Sequence, residues 1–178
     1  KVFAWLVEYY FDLGTTESSR WPAYLAHEIR CWNLANVYGP RQNPYGEAGV
    51  VAIFAIQMLT GKQPTIFGPG DKTRDYIHVS DIVEANIVAL HRGKNAIYNI
   101  GTGLETSDQE IFDTLASVLG YKSMPIYAPL RKGEVYRIAL NCTKANKELG
   151  WSPRLSLKEG IAVTAEYYKK LANAQIGK

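Results

Sequence analysis

Strands alternating with helices predict an α/β fold for this chain of 178 residues. Two observations carry that reading. Short apolar runs such as PTIFG (64–68) and AIYNIG (96–101) alternate with longer segments whose apolar residues recur at helical spacing. Gly, Pro, Ser and Thr punctuate the joints between them. The length allows one sizeable core, and 47% hydrophobic against 21% charged residues is ordinary for a globular protein.

Val2, Phe3, Leu6, Tyr9, Tyr10 and Leu13 recur at helical spacing and predict a helix over 2–13, ended at Gly14. Thr15 to Pro22 is a polar loop, and 28–35 reads as a buried strand followed by the turn YGPRQNPYG. A helix is expected from near Glu47 to Gly61, then a short strand at 64–68, a Gly/Pro turn and a second strand at 74–79. Ser80 or Asp81 opens the next helix, which runs to His91. AIYNIG forms a further strand. Thr106 and Gln109 have the spacing of a capping box before a helix over 111–120. Two short strands are expected within 125–140, and a short helix over 143–149, closed by Gly150. Ser156 and Glu159 repeat the capping-box spacing before a last helix, through about Leu171.

The bulk composition excludes several function classes. A net charge of +3 gives no reason to expect nucleic acid or an anionic membrane as partner. No apolar run approaches the roughly 20 residues of a membrane span, and KVFAWLVEYYFD has no cleavage site and carries acidic residues, so no leader is expected. The first residue is Lys, which fits a truncated or trimmed chain, although expression cloning explains it too. Cys31 and Cys142 sit in no Cys/His cluster, so no zinc or other metal site is expected, and two buried free thiols in a cytoplasmic protein are the better reading.

Anion binding must therefore come from a few placed groups. GEAGVV puts the small residues Ala48 and Gly49, with Val50, at a helix start, where free N–H groups and the helix dipole favour a phosphate; a plain turn before a core helix fits equally. Arg74 lies in an otherwise apolar strand. Its guanidinium suits a diphosphate, but from the residues alone an ion pair with Asp75 or Asp81 is the better reading. Thr65 and Phe67 share a strand face that serves either as core or as a platform for a flat base. Asn36 is either a turn former or a hydrogen-bonding group, and Tyr76 either core or a pocket contact. Arg131 and Glu134, in RKGE, read by themselves as a charged surface loop.

In this order and at these distances, NVYGPRQNPYGEAGVV, TIFGPGDKTRDYIHVSDIVEA, YNIGTG, RKGE and TKANKELGWSP resemble one family. It is the NAD-dependent epimerases and dehydratases of the extended short-chain dehydrogenase/reductase class, and in pattern its UDP-glucose 4-epimerase branch. The resemblance runs from about Leu34 to Lys169. It implies the C-terminal, substrate-binding part of an extended Rossmann-type fold. Residues 1–35 would end a nucleotide-binding domain, and 36–178 would be mainly substrate-binding, with 80–103 returning to the Rossmann sheet.

The activity implied is interconversion of UDP-glucose and UDP-galactose through a 4-keto intermediate on NAD. The alternatives are another UDP- or dTDP-sugar epimerase or dehydratase, or a non-catalytic nucleotide-sugar-binding module. By resemblance, Arg74 and Arg131 hold the diphosphate, and Glu134 stands where an Asp usually accepts bonds from the ribose. Thr65 and Phe67 would pack on uracil, Ala48, Gly49 and Val50 would line the phosphates, and Asn36 and Tyr76 would reach phosphate or sugar. Leu34 replaces an aromatic residue near the nicotinamide. The family's catalytic Lys would fall at Lys1 on one alignment, and a homodimer is implied through the helix at 2–13.

The chain departs from the pattern in holding neither Gly-x-x-Gly-x-x-Gly nor Tyr-x-x-x-Lys, in carrying Asn141 where Asp is usual, and in a longer loop over 15–27. The chain alone is therefore expected to be inactive.

Overall fold

A computed structural model of the protein describes residues 32–45, 49–92 and 96–176. The helix expected over 2–13, the loop at 15–22, the first half of the strand at 28–35, and Lys1, Cys31, Glu47 and Ala48 lie outside the described residues.

The described elements run, in chain order, β1 (Trp32–Leu34), β2 (Asn36–Tyr38), α1 (Val50–Leu59), β3 (Thr65–Phe67), β4 (Thr73–Arg74), β5 (Tyr76–His78) and α2 (Val79–Arg92). They continue with β6 (Tyr98–Ile100), β7 (Thr106–Ser107), α3 (Asp108–Leu119), β8 (Ile126–Ala128), α4 (Thr143–Leu149) and α5 (Leu157–Ile176). Three ladders are parallel, β1 with β6, β2 with β5 and β3 with β8, while β4 pairs antiparallel with β7. Parallel pairs need crossover connections, which the helices supply. The fold is α/β.

The chain from 32 to 38 crosses between two ladders. The Ala35 amide donates to Ile100 O at 3.0 Å and the next amide, of Asn36, to Asp75 O at 2.7 Å. Tyr38, read from sequence as the start of a turn, thus closes β2 opposite His78. The run 74–79, expected as a single strand, is likewise divided at Asp75. Asp75 is 1% exposed, and its carboxylate accepts from Thr102 N (2.8 Å), Thr102 Oγ1 (2.6 Å), Gly103 N (3.0 Å) and Leu140 N (3.1 Å). Satisfying a buried carboxylate redirects the backbone there.

Helix α1 begins at Val50, three residues later than expected. It is apolar all round and buries Val51, Ala52, Phe54, Ala55, Ile56 and Met58, as such a helix must. Helix α3 is capped one residue later than the sequence spacing predicts. Ser107 Oγ accepts from Glu110 N at 3.0 Å, while Thr106 sits in β7 opposite Arg74. Residues 125–140 hold one strand, β8, and not two. Beyond it the chain is fixed by single bonds, such as Thr73 N to Tyr136 O at 3.0 Å, and by no ladder. Gly150, at φ 69°, closes α4 in the left-handed region as expected. The Ser156–Glu159 box forms in both directions, and α5 continues to Ile176, past the expected Leu171.

Two hydrophobic cores result among the described residues. The first joins α1, α3 and α5 around Phe54, Phe112, Leu115, Ile161 and Tyr168. At its edge Gly160 passes so close to Tyr38 that a β-carbon would overlap the tyrosine hydroxyl. The second joins β5, β6, α2 and α4 around Ile77, Ile82, Tyr98, Ile100, Leu149 and Trp151. Cys142 is half-buried, less covered than expected, with burial pushing its thiol up. Among the described residues, no helix is long and apolar enough to cross a membrane.

Candidate functional site

Between the first core and the chain after β8 lies a cavity of about 470 Å³. Its walls come from several elements. Asn36 comes from β2, Gly49 and Val50 from the start of α1, Thr65 and Phe67 from β3, Arg74 from β4, Tyr76 from β5, and Arg131 and Glu134 from the chain after β8. Nine residues singled out from sequence as substrate contacts are thus brought to one wall or another of a single space. Ala48, the tenth, lies outside the described residues. Leu34 packs against the second core and does not line this cavity.

The local sequence explains these placements. Gly49 caps α1 without a side-chain hydrogen bond; the Ala52 amide donates to the Gly49 carbonyl at 3.1 Å, and the side chains offer no acceptor to the Val50 and Val51 amides that begin the helix. In β3 only Ile66 is fully buried, at 1% exposure, so Thr65 and Phe67 share the face turned to the cavity. The ion pair considered for Arg74 does not form. Asp75 is saturated as described, and Asp81 accepts from the backbone amides of Arg154 (3.0 Å) and Leu155 (3.4 Å). The Arg74 guanidinium instead donates to the carbonyls of Thr73 (2.8 Å) and Tyr136 (3.5 Å).

Sequence reasoning missed two charged residues here, Lys72 and Asp108, and the apolar wall of Ile53, Phe54 and Ile66 with Gln57. Lys72 is 6% exposed; it forms an ion pair with Glu134, and its Nζ lies 3.7 Å from Asp108. Tyr76 donates to Asp108 at 3.4 Å. The Arg131 guanidinium lies 3.6 Å over the Phe67 ring and 3.8 Å from Glu134. Among the described lining residues the cavity thus gathers three cations and two carboxylates.

Burial pushes the Asp108 carboxyl up, opposed by Lys72 and Arg74. The bond from Lys72 holds Glu134 below the usual carboxylate range. Burial, reinforced by Asp108, pushes the Tyr76 hydroxyl well above its ordinary value, so at neutral pH it donates and does not accept a proton.

A family model described as GDP-mannose 4,6 dehydratase matches residues 23–164. The chain belongs to this family of NAD-dependent epimerases and dehydratases. It is 44% identical over 146 residues to a UDP-glucose 4-epimerase of Mycolicibacterium smegmatis, a match covering 80% of this chain and 47% of that protein. It is 32% identical over 145 residues to a dTDP-glucose 4,6-dehydratase of Streptomyces antibioticus, covering 80% and 42%.

Among solved epimerase structures, that of the Thermotoga maritima UDP-glucose 4-epimerase with UDP-glucose superposes with a TM-score of 0.77 at 50% identity. That match covers 79% of this chain and 45% of the other. The Thermus thermophilus UDP-glucose 4-epimerase with NAD gives 0.70 at 35% identity, covering 83% and 50%. The chain spans about half the length of the relatives it matches.

Proposed function

We propose that this chain supplies the UDP-sugar grip of a nucleotide-sugar 4-epimerase that interconverts UDP-glucose and UDP-galactose. One observation carries the reading. Arg74, Arg131 and the uncapped start of α1 converge on one cavity that also presents Phe67. Two guanidiniums and a helix N-terminus suit a diphosphate, and an aromatic ring beside them suits a base. In this reading Glu134 accepts from the ribose, Thr65 and Phe67 face uracil, and Asn36 and Tyr76 reach phosphate or sugar. Ala48, Gly49 and Val50 let the diphosphate approach the helix. The stacking of Arg131 on Phe67 requires the guanidinium to swing away as the base enters.

The two separate cores support reading 36–178 as mainly substrate-binding, with 1–35 and 80–103 belonging to a nucleotide-binding sheet. NAD is the family's cofactor. The described residues offer its pyrophosphate no glycine-rich cradle, and Leu34 is the residue here assigned to its nicotinamide side. Lys1 as the catalytic lysine, and a homodimer through the helix at 2–13, belong to the same proposal.

The dehydratase relatives favour a second reading, a dTDP-sugar substrate, which differs at the 2′-hydroxyl and the base methyl. Calorimetry with UDP and dTDP decides between them: UDP is expected to bind more tightly. Arg74→Ala and Arg131→Ala are each expected to weaken UDP binding about tenfold or more, since charge-assisted bonds contribute about 1.5–3 kcal/mol and a decade is about 1.4 kcal/mol. Unchanged affinity in both variants would refute the assignment.

A further inference from the structure

We infer that Lys72 is the positioning residue of this cavity, holding the Glu134 carboxylate where the ribose diol of a nucleoside diphosphate meets it and so loosening its hold on Arg131, which then turns to the phosphates. The inference rests on the nucleotide-sugar reading and assigns a role to a residue that reading does not use. Three observations carry it.

Lys72 is fixed before any ligand arrives. Its side chain is 7% exposed, its carbonyl accepts from the Asp108 amide at 3.1 Å, and its ammonium lies between Glu134 and Asp108. The pairing is also selective. Glu134 pairs with two cations, but its hydrogen bond is with Lys72, while the Arg131 guanidinium makes only a looser ion pair at 3.8 Å on a 59% exposed side chain. Finally, the charge count depends on Lys72. With it, the described lining residues hold three cations against Asp108 and Glu134; without it, these charges balance and Glu134 is left to Arg131. A guanidinium engaged by a carboxylate is a poorer partner for phosphate, because the two acceptors compete for the same fork of donors. The lowered pKa of Glu134, caused first by its bond from Lys72, agrees with this arrangement.

A buried ion pair with no such role is the competing account, since pairs of this kind are weak evidence for stability or function by themselves. The two accounts differ in which part of the nucleotide responds. The test uses the full chain, UDP, and 2′,3′-dideoxy-UDP, which keeps the base and diphosphate but lacks the diol.

The unsubstituted chain is expected to prefer UDP by about tenfold or more, the size of a hydrogen bond to a charged acceptor. Lys72→Met is expected to bring that ratio close to one, and Lys72→Arg, which keeps the charge, to restore most of it. Should Lys72→Met fail to fold, the neutral and shorter Lys72→Gln is read for the same ratio. A ratio unchanged in the neutral variant overturns the inference, as does an equal loss for both nucleotides, which would make Lys72 a phosphate contact. Arg74→Ala separates this failure from failure of the site itself, because it should weaken both nucleotides alike. If Arg74→Ala has no effect, or the unsubstituted chain does not bind UDP, the site reading falls and the inference falls with it.

Discussion

Asp75 has no ionic partner among the described ion pairs, and its buried carboxylate is satisfied by the backbone amides of Thr102, Gly103 and Leu140 and by the Thr102 hydroxyl. It ties the start of β5 to two distant segments beside the candidate site. Asp75→Ala leaves three amides without an acceptor, at about 1–3 kcal/mol for each that stays buried. A loss of about 3 kcal/mol or more is expected in urea denaturation, and an unchanged midpoint would sink this account.

His78 makes a second prediction at this scale. It is 2% exposed, with Nδ1 2.8 Å from Ser80 Oγ and its ring against Tyr38, and burial lowers its pKa from 6.5 to about 4. The unfolded chain therefore takes up this proton first, so stability falls as pH drops below about 6.5 and levels off below about 4. At 1.36 kcal/mol per pH unit the span corresponds to roughly 3 kcal/mol. Denaturation at pH 7 and pH 4.5 should show a smaller acid loss for His78→Gln than for the unsubstituted chain. Equal losses would mean that His78 does not titrate in this way.

Helix ends show what is legible at the level of elements. TSDQE contains two overlapping boxes, Thr106 with Gln109 and Ser107 with Glu110. The sequence cannot rank them, because both residues join the ladder with β4, Ser107 opposite Thr73 and Thr106 opposite Arg74. Thr106 is buried there, and it is the Ser107 hydroxyl that accepts from the first turn. Ser107→Ala is accordingly expected to cost about 1 kcal/mol in thermal or urea unfolding. No measurable change would return the cap to Thr106. Ser156 and Glu159 were readable because their box is closed by bonds within the same four residues. The division of 74–79 was not, since the partners that force it come from residues 102, 103 and 140. Apolar periodicity locates β3, β5, β6 and most helices. It is silent on the chain after β8, where isolated bonds replace a pattern.

At the scale of the molecule, the site was legible unevenly, and for a physical reason. Arg74 and Arg131 stood out through the order of several motifs along the chain, whereas Lys72 and Asp108 carry no local signature. Each is one of 37 charged residues (20 cations plus 17 anions), and only the fold brings Asp108 within 3.7 Å of Lys72. The assembled cavity then limits what these residues can do chemically. Among the described lining residues, the carboxylates face Lys72, and Tyr76 has a hydroxyl that burial and Asp108 hold protonated at neutral pH. Asp108, whose carboxyl burial pushes up, already accepts from Tyr76 and faces Lys72. The 178 residues also contain no Gly-x-x-Gly-x-x-Gly to hold a dinucleotide pyrophosphate and no Tyr-x-x-x-Lys pair to exchange the proton. Binding and turnover should therefore separate. The chain is expected to bind UDP by calorimetry and to show no conversion of UDP-galactose in a coupled assay with added NAD. Turnover that follows the protein through repurification, and that disappears in Arg74→Ala, would show that these residues supply the chemistry as well as the grip.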